Sequence, residues 1–330
     1  MNILILSAGR RTKLVEHFKT EFHGTGKVVA TDCDSLAPAL YCADCYYIVP
    51  PITHPDYIAC VLDICRKEHI NGVISLIDPE LELIAGCAAE FEKAGIQLYI
   101  SPCDVCRICF DKFEMFNFLK KNGFRCAKTY IDIEEFKRDF KRELISFPVF
   151  IKPRCGSASL GISIVYEMRH LELLFQLTDN LIIQEFLRGD EYGADCYIDL
   201  LSHQPVSIFV KKKIRMRAGE TDKAVSVLDG TVLQFIQTFA KVLGAAGPID
   251  IDLFKINEQW YISEVNPRFG GGYPHAYACG CNFPLYIRNN MQGIINQPII
   301  GNYQDGVVMM KHDTVMIRED LDKEMNNLCN

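Results

Sequence analysis

The sequence predicts an α/β protein whose N-terminal part is a doubly wound, Rossmann-like domain. Three observations carry this prediction. Short apolar runs alternate with helical patterns through the first hundred residues, strand–turn–strand patterns rich in small residues follow, and a hairpin with an acidic face lies near residue 260. Strands that alternate with helices are typical of a parallel sheet covered on both faces. A second part of mixed helix and strand follows this domain.

The composition is that of a globular enzyme rather than a nucleic-acid-binding or membrane protein. The chain has 330 residues, of which 49% are hydrophobic and 23% charged, with a net charge of −7. No basic run exceeds residues 211–213, and no apolar stretch reaches membrane-spanning length. The 15 cysteines are scattered and no leader pattern follows Met1, so we expect reduced thiols in a cytoplasmic protein.

The first hundred residues contain five predicted strands separated mostly by helices. The strands are expected at residues 3–6, 28–32, 46–49, 72–78 and 97–100, and the helices at residues 12–22, 56–68 and 80–94. Ligands of such sheets bind at the carboxyl ends of the strands. Asp32 follows Gly9 at nearly the spacing of a dinucleotide site, but the turn at residues 7–12 has one glycine where three are required. The sequence therefore argues against a nicotinamide site.

A small-residue loop lies between two predicted strands within residues 147–165. A helix at residues 104–122, which contains Asp111 and Lys112, precedes it. Lys152 leads into the loop at residues 154–161, where small residues let backbone N–H groups approach phosphate oxygens. The same pattern is also that of an ordinary hairpin, so both interpretations remain open. A strand–turn–strand near Gly189, a strand that runs into the basic residues after Val210, and a helix at residues 226–243 follow.

Residues 249–255 and 260–265 are predicted to form an antiparallel hairpin closed by a loop at residues 257–259. Such a loop places Asp252 opposite Glu264. Alternate residues share a face of a strand, so one face carries three carboxylates and an amide: Asp250, Asp252, Glu264 and Asn266. A few carboxylates completed by substrate phosphates are the ligands that magnesium requires, although a solvated acidic face is an equally open interpretation.

The order of these motifs resembles the ATP-grasp superfamily over roughly residues 104–298. The first hundred residues are similar to the pre-ATP-grasp domain that precedes it. The likeness is greatest to the ATP-binding half of carbamoyl-phosphate synthase large subunits and to the pyrrolysine-pathway carboxylate–amine ligase. It implies a Rossmann-like pre-ATP-grasp domain at residues 1–103, and a two-lobed α+β ATP-grasp domain with a small lobe at 104–187 and a large lobe with a C-terminal tail at 188–330.

The resemblance also implies a role for particular residues. The expected contacts to the phosphates of ATP are Lys112, Lys152, Gly156, Ser157, Ser159 and Gly161. The expected adenine-binding hinge is Gln184, Glu185, Phe186 and Leu187, with Glu191 on the ribose. The expected ligands of Mg²⁺, or of Mn²⁺ in its place, are Asp252, Glu264 and Asn266. The expected catalytic residues are Arg268, which would stabilise an acyl phosphate, and Lys152.

The implied reaction is the ATP-dependent joining of a carboxylate to an amine through an acyl phosphate. One alternative is a carbamoyl-phosphate-synthase-like or carboxylase component that acts on bicarbonate, and another is a non-catalytic nucleotide-binding protein. The expected partners are a small-molecule carboxylate and an amine, amino acids among them, with a homodimer as a possible assembly. Which of Lys211, Lys213, Arg215, Arg217 and Lys223 contacts the γ-phosphate is left open.

We further expect the acceptor site to combine charged residues of the first domain with the segment after the hairpin. The residues concerned are Arg10, Arg11, Asp32, Asp78, Glu80, Arg268 and the glycines at 270–272. An amino acid needs a cation for its carboxylate and an anion for its ammonium, and this set supplies both. The alternative is that Asp78 and Glu80 only begin a helix, where acids favour the positive end of the dipole.

Overall fold

The computed structural model of the chain describes residues 1–156, 161–217 and 219–318. These residues form two compact units. The first contains Met1–Leu76, Cys87–Leu98 and the described residues from Met310 onwards, and the second contains Ile77–Gly86 and Tyr99–Met309. The domain boundaries expected at residues 103 and 187 were placed from sequence motifs, and they stay predictions.

The first unit is built on a parallel five-stranded sheet. Its strands have the order β3-β2-β1-β4-β5, with β1 paired to both β2 and β4. The elements of the chain up to β5 are β1 Asn2–Leu6, α1 Thr12–Phe22, β2 Val28–Asp32, β3 Cys45–Ile48, α2 Tyr57–Lys67, β4 Ile70–Ser75, α3 Asp78–Gly86, α4 Ala88–Lys93 and β5 Gln97–Leu98. Of these, α3 belongs to the second unit. The central strand is wholly buried from Ile3 to Leu6, as its apolar run predicts.

Two predictions in this region were wrong in detail. The expected strand at residues 72–78 ends at Ser75, because Asp78 already begins α3. The expected single helix at 80–94 is two helices, α3 and α4, with a break at Cys87.

Asp32 holds the turn after β1 in place. Its carboxylate accepts hydrogen bonds from the backbone N–H of Gly9, at 2.8 Å, and of Asp34, at 2.9 Å. Gly9 has φ of +53°, a conformation that glycine adopts at little cost. Both carboxylate oxygens therefore serve the local backbone, which accounts for Asp32 without a substrate.

The second unit contains an antiparallel four-stranded sheet of order β6-β9-β7-β8. The elements are α5 Cys103–Phe110, α6 Lys112–Lys121, β6 Thr129–Tyr130, α7 Ile133–Lys141, β7 Val149–Pro153, β8 Ser163–Val165, α8 Met168–Leu177 and β9 Leu181–Glu185. The predicted single helix at 104–122 was wrong, because the chain breaks at Asp111. The Asp111 carboxylate accepts from the backbone N–H groups of Phe113 and Glu114 and so caps α6.

A six-stranded sheet of order β14-β13-β10-β11-β12-β15 follows. Its elements are β10 Asp190–Ile198, β11 Pro205–Arg217, β12 Glu220–Ser226, α9 Gly230–Leu243, β13 Gly247–Ile256, β14 Gln259–Asn266, α10 Tyr273–Ala278, α11 Phe283–Met291 and β15 Val308–Met310. The strand β11 continues through the basic residues to Arg217 and pairs with β12, which forms a second hairpin. The helix predicted from residue 226 begins at Gly230, after the Asp229 cap.

The two faces of this sheet differ in character. One face carries apolar side chains of β10, β11, β13 and β14 that pack with α9 in a buried core. The residues that alternate with them on β10, β11 and β13 include the charged side chains of Glu191, Asp195, Lys211, Lys213, Asp250 and Asp252. Along the described ranges, no helix has the length and apolar character needed to cross a bilayer.

Candidate active site

The hairpin of β13 and β14 brings the predicted acids together. Asp252 is paired with Glu264, and Asp250 with Asn266, as the sequence predicts. The predicted route to this register was wrong, because the loop has two residues instead of three. Asn257 and Glu258 both have positive φ, of +47° and +61°, which is typical of a two-residue turn.

A β-bulge restores the register that a two-residue loop would shift. Leu253 is paired with Ile262, whereas the next residue back along β13, Asp252, is paired with Glu264. Ser263 is therefore the extra residue of β14. Bulges bend a strand and increase its twist, and they commonly re-aim side chains beside active sites. Here the bulge immediately precedes Glu264.

Lys213 connects two predicted ligand-binding acids. Its Nζ lies 2.7 Å from Asp252 Oδ1 and 2.8 Å from Glu191 Oε1. The Lys213 side chain is only 4% exposed. Burial lowers the pKa of Lys213, but Asp252 and Glu191 raise it by more, so that its pKa lies above the usual value. The ammonium is therefore held charged between the acid expected on the ribose and an acid expected on the metal.

Lys211, two residues earlier on the same strand, forms a second buried ion pair. Its Nζ binds the Asp195 carboxylate, and both side chains are 2% exposed. Gly193 lies beside both lysines. A Cβ at Gly193 would lie 3.2 Å from Lys211 Cε and 3.4 Å from Lys213 Cε. The missing side chain at this position leaves the space through which the two lysines extend.

Arg268 lies between two carboxylates. Its Nη2 donates to Asp78 Oδ2 at 3.0 Å, and its Nη1 lies 3.5 Å from Asp250 Oδ2. Burial, together with Asp252 and Asp195, raises the pKa of Asp250 to about 6. Burial lowers the pKa of Arg268, but Asp78 and Asp250 raise it overall. The arginine predicted to be catalytic is thus fixed by two acids.

Lys152 is a buried lysine on β7. The residue is 7% exposed, and no hydrogen bond or ion pair joins its ammonium to any residue in the described ranges. Burial lowers the pKa of Lys152, while Glu264 and Asp252 act in the opposite direction. The Lys152 Nζ is not among the fully buried polar atoms of the described residues that lack a partner, so the ammonium can be reached by solvent or by a ligand. An anionic ligand close to these acids would satisfy it.

Lys112 begins α6 next to the predicted phosphate loop. Its Nζ donates to the carbonyl oxygen of Gly156 at 2.7 Å. Arg154 Nε donates to the Asp111 carboxylate at 2.7 Å, and this bond ties the end of β7 to the start of α6. Gly156 and Gly161 both have positive φ, of +128° and +71°. Ser157 and Ser159, also predicted to bind phosphate, lie outside the described residues.

The predicted hinge, residues 184–187, consists of the last two residues of β9 and the two residues that follow it. Gln184 is buried and donates to the Thr129 hydroxyl at 3.1 Å. Glu185 accepts from the backbone N–H of Lys128 at 3.0 Å, and its own N–H donates to the Lys128 carbonyl. The Phe186 ring stacks on Phe150 with centroids 4.8 Å apart. Leu187 is 9% exposed. The segment is anchored to the small sheet before it reaches Glu191.

In the described part of the chain, no three His, Cys, Asp or Glu side chains form a ready-made metal cage. The predicted set has two carboxylates and one amide, which leaves coordination positions for phosphate oxygens. Sequence reasoning named neither the Asp195–Lys211 pair nor Gly193. Charged residues alternate along β10 and β11 in the sequence, but only the strand register shows which of them are in contact.

Two family models match the chain. An ATP-grasp domain matches residues 109–272, and a PylC-like N-terminal domain matches residues 3–99. The chain belongs to the ATP-grasp superfamily, and within it the N-terminal domain is of the PylC-like kind. The resemblance drawn from the motifs is thereby confirmed.

Curated relatives are similar over part of their length. The chain is 27% identical to a D-alanine–D-alanine ligase of Nitratiruptor over 212 residues, which cover 59% of this chain and 54% of that protein. It is 22% identical to the carbamoyl phosphate synthase large chain of Clostridium botulinum over 268 residues, covering 76% of this chain and 23% of that protein. The chain thus spans about half, or less, of these relatives.

Solved structures confirm the predicted fold class. An N5-carboxyaminoimidazole ribonucleotide synthetase in complex with ADP aligns with a TM-score of 0.71 at 17% identity, covering 91% of this chain and 79% of that one. The biotin carboxylase domain of a Hydrogenobacter thermophilus 2-oxoglutarate carboxylase, in complex with MgADP, ADP and bicarbonate, aligns with a TM-score of 0.72 at 16% identity. That alignment covers 93% of this chain and 73% of the other.

Proposed function

We propose that this protein is an ATP-dependent ligase that activates a carboxylate as an acyl phosphate and joins it to an amine. The observation that carries the proposal is the position of Lys152. It is a largely buried lysine with no bonded partner among the described residues, and it lies within electrostatic reach of the paired acids Asp252 and Glu264. A phosphate oxygen close to both a metal-binding pair and a lysine is what phosphoryl transfer requires.

The nucleotide-binding residues are those that the sequence named. Adenine would lie against the hinge at residues 184–187, and the ribose hydroxyls would replace Lys213 as the partner of Glu191. Lys112, Lys152 and the loop at residues 156–161 would hold the phosphates. Point charges and backbone N–H groups together neutralise phosphate oxygens without covalent chemistry.

Asp252, Glu264 and Asn266 would hold Mg²⁺, with Mn²⁺ as a substitute that has the same preference for oxygen. The fit rests on the donor set, which offers hard oxygen atoms from adjacent strands and leaves positions for phosphate oxygens. When bound, the metal would neutralise and orient the phosphates. Lys213 already neutralises Asp252 in the structure, so a metal would have to compete with it.

Arg268 would stabilise the charge that develops on the acyl phosphate and on the tetrahedral adduct with the amine. Asp78 and Asp250 hold its guanidinium from two sides, so that little reorganisation accompanies the reaction. Preorganised donors of this kind are worth about 3 kcal/mol of transition-state stabilisation each. The amine loses a proton during attack, and the phosphate leaves as the new C–N bond forms.

The test is ATP hydrolysis coupled to product formation. Purified protein with Mg²⁺ and ATP is incubated with pairs of amino acids, with simple carboxylates and amines, and separately with bicarbonate. ADP release and product masses are recorded. A condensation product with equimolar ADP supports ligation, whereas turnover with bicarbonate alone would support the carboxylase alternative. No ADP release from any pair, despite stabilisation by ATP, would favour a nucleotide-binding protein without catalysis.

Nucleotide choice is tested on the same protein. Thermal shifts should increase with the logarithm of ATP concentration in the presence of Mg²⁺, since a ligand that binds only the folded state stabilises it by mass action. NAD at the same concentrations should have no effect. A shift with NAD and none with ATP would refute the proposal. The cytoplasmic location and the homodimer stay predictions.

A further inference from the structure

The Asp78 carboxylate has one oxygen with no partner. Its side chain is 7% exposed. Oδ2 accepts from Arg268, whereas Oδ1 has no hydrogen-bond partner within the described ranges. Burial of a carboxylate oxygen without a hydrogen-bond donor is unfavourable. The presence of such an oxygen at Asp78 therefore needs an explanation, of which a bound ligand is one.

A role in starting a helix does not account for this oxygen. Asp78 is the first residue of α3, where an acid is favoured by the positive end of the dipole. An acid that caps a helix accepts from the backbone N–H groups of the first turn. Asp78 Oδ1 accepts from none of them. Helix initiation therefore explains the presence of an acid but leaves its free oxygen unexplained.

The charges around Asp78 do not balance. Arg268 is shared between Asp78 and Asp250. Lys211 also acts on Asp250, but it is itself bound to Asp195. These five residues, three of them buried and Asp250 and Arg268 partly exposed, thus contain three carboxylates and two cations. A surplus carboxylate in a protein interior needs a cationic partner.

We propose, on the basis of the ligase function above, that Asp78 Oδ1 binds an ammonium group of a substrate. The ligand class is a primary ammonium, because it brings both positive charge and N–H donors to a single oxygen. A metal ion fits less well, since no cluster of three acidic, His or Cys ligands occurs in the described part of the chain. Arg268 would then lie beside both the ammonium and the activated carboxylate.

The ammonium could belong to the attacking amine or to the α-position of an amino acid whose carboxylate is activated. Amino-acid methyl esters keep the ammonium and lack the carboxylate. N-acetyl amino acids keep the carboxylate and lack the ammonium. Binding of esters assigns the ammonium to the amine substrate. Binding that requires both groups in one molecule assigns it to the carboxylate substrate. Both results support an ammonium at Asp78.

The experiment measures binding of these probes by saturation-transfer NMR to protein loaded with ADP and Mg²⁺. Asp78→Asn keeps the shape of the side chain and an acceptor for Arg268 but removes the charge. It should weaken ammonium-bearing probes by about 10-fold to 100-fold, the range expected for a charged hydrogen bond. Glu82→Gln, a change in the same helix outside this cluster, should leave the affinity unchanged.

A second comparison needs no variant, so it holds even if Asp78→Asn fails to fold. On the natural protein, a trimethylammonium analogue of each bound probe keeps the positive charge but offers no N–H donor, and it should bind at least about 10-fold more weakly. Equal binding of the quaternary analogue, or equal binding of the probes to Asp78→Asn, would overturn the proposal. Binding of N-acetyl probes alone would do the same. Failure of the natural protein to bind ADP would instead count against the ligase function.

Discussion

Lys213 Nζ lies 2.7 Å from Asp252 Oδ1, in the position where a metal-binding carboxylate would receive a cation. The protein therefore carries its own positive charge at the expected metal site. This arrangement keeps Asp252 and Glu191 in place before nucleotide binds, and it makes the site less attractive to free metal ions.

Lys213→Met should make the site responsive to Mg²⁺ alone. Removal of the ammonium leaves Glu191 and Asp252 uncompensated, which should cost about 2 kcal/mol of unfolding free energy, a value reduced because both acids are partly exposed. Without nucleotide, the thermal shift caused by about 10 mM Mg²⁺ should then be larger in Lys213→Met than in the natural protein. Lys212→Met removes an exposed lysine paired with Asp190 and serves as the control. Equal Mg²⁺ responses in all three proteins would contradict the competition.

Glu264→Gln should abolish Mg²⁺-dependent ATP turnover while the protein stays folded. The amide keeps the size of the side chain but loses the charge that a divalent cation requires. ADP release at saturating Mg²⁺ is the measurement, with circular dichroism as the check on folding. Glu258→Gln, in the exposed turn of the same hairpin, should leave turnover unaffected. Undiminished turnover of Glu264→Gln would remove this residue from the metal site.

Gly193→Ala should disturb both buried lysines at once. The added Cβ would lie 3.2 Å from Lys211 Cε and 3.4 Å from Lys213 Cε, so at least one side chain must move. Crowding of this kind costs about 1–3 kcal/mol. We expect a lower melting temperature and weaker ATP binding, measured by calorimetry. Gly230→Ala, where the new atom meets nothing within 4 Å, is the matched control. Equal ATP affinity in the two variants would indicate that the lysines have room to relax.

The buried carboxylate of Asp250 should make stability depend on pH. Its pKa is raised to about 6 when folded, so the folded state holds this proton more tightly than the unfolded chain. Asp250 therefore favours folding most at low pH, and its contribution is lost as pH rises from about 4 to about 6, by up to about 3 kcal/mol. Asp250→Asn should flatten this part of the pH profile of denaturant unfolding. A profile parallel to that of the natural protein would assign the dependence to other groups.

The sequence predicted much of the fold because the relevant signals are local. Apolar runs located the strands of the first sheet, and the alternation of acids located the β13–β14 pair. The break at Asp111 escaped prediction because capping competes with helix continuation through hydrogen bonds that apolar periodicity does not reveal.

The candidate site was only partly predictable for a different reason. Lys211 and Lys213 are one step of alternation apart on one strand, yet one binds Asp195 and the other Asp252 and Glu191. Those pairings depend on strand register across three strands and on the empty space at Gly193. A single sequence carries no direct signal for either.

Ser263 is the extra residue of the bulge, so β14 has one residue more than its pairing with β13 uses. A chain that lacked this residue could keep Ile262 opposite Leu253 and Glu264 opposite Asp252, because both pairs lie outside the insertion. It would lose the local bend that the bulge adds. Deletion of this uncharged residue would therefore leave Glu264 paired with Asp252 but remove the bend that immediately precedes it, so the number of residues in this strand is itself a determinant of the site.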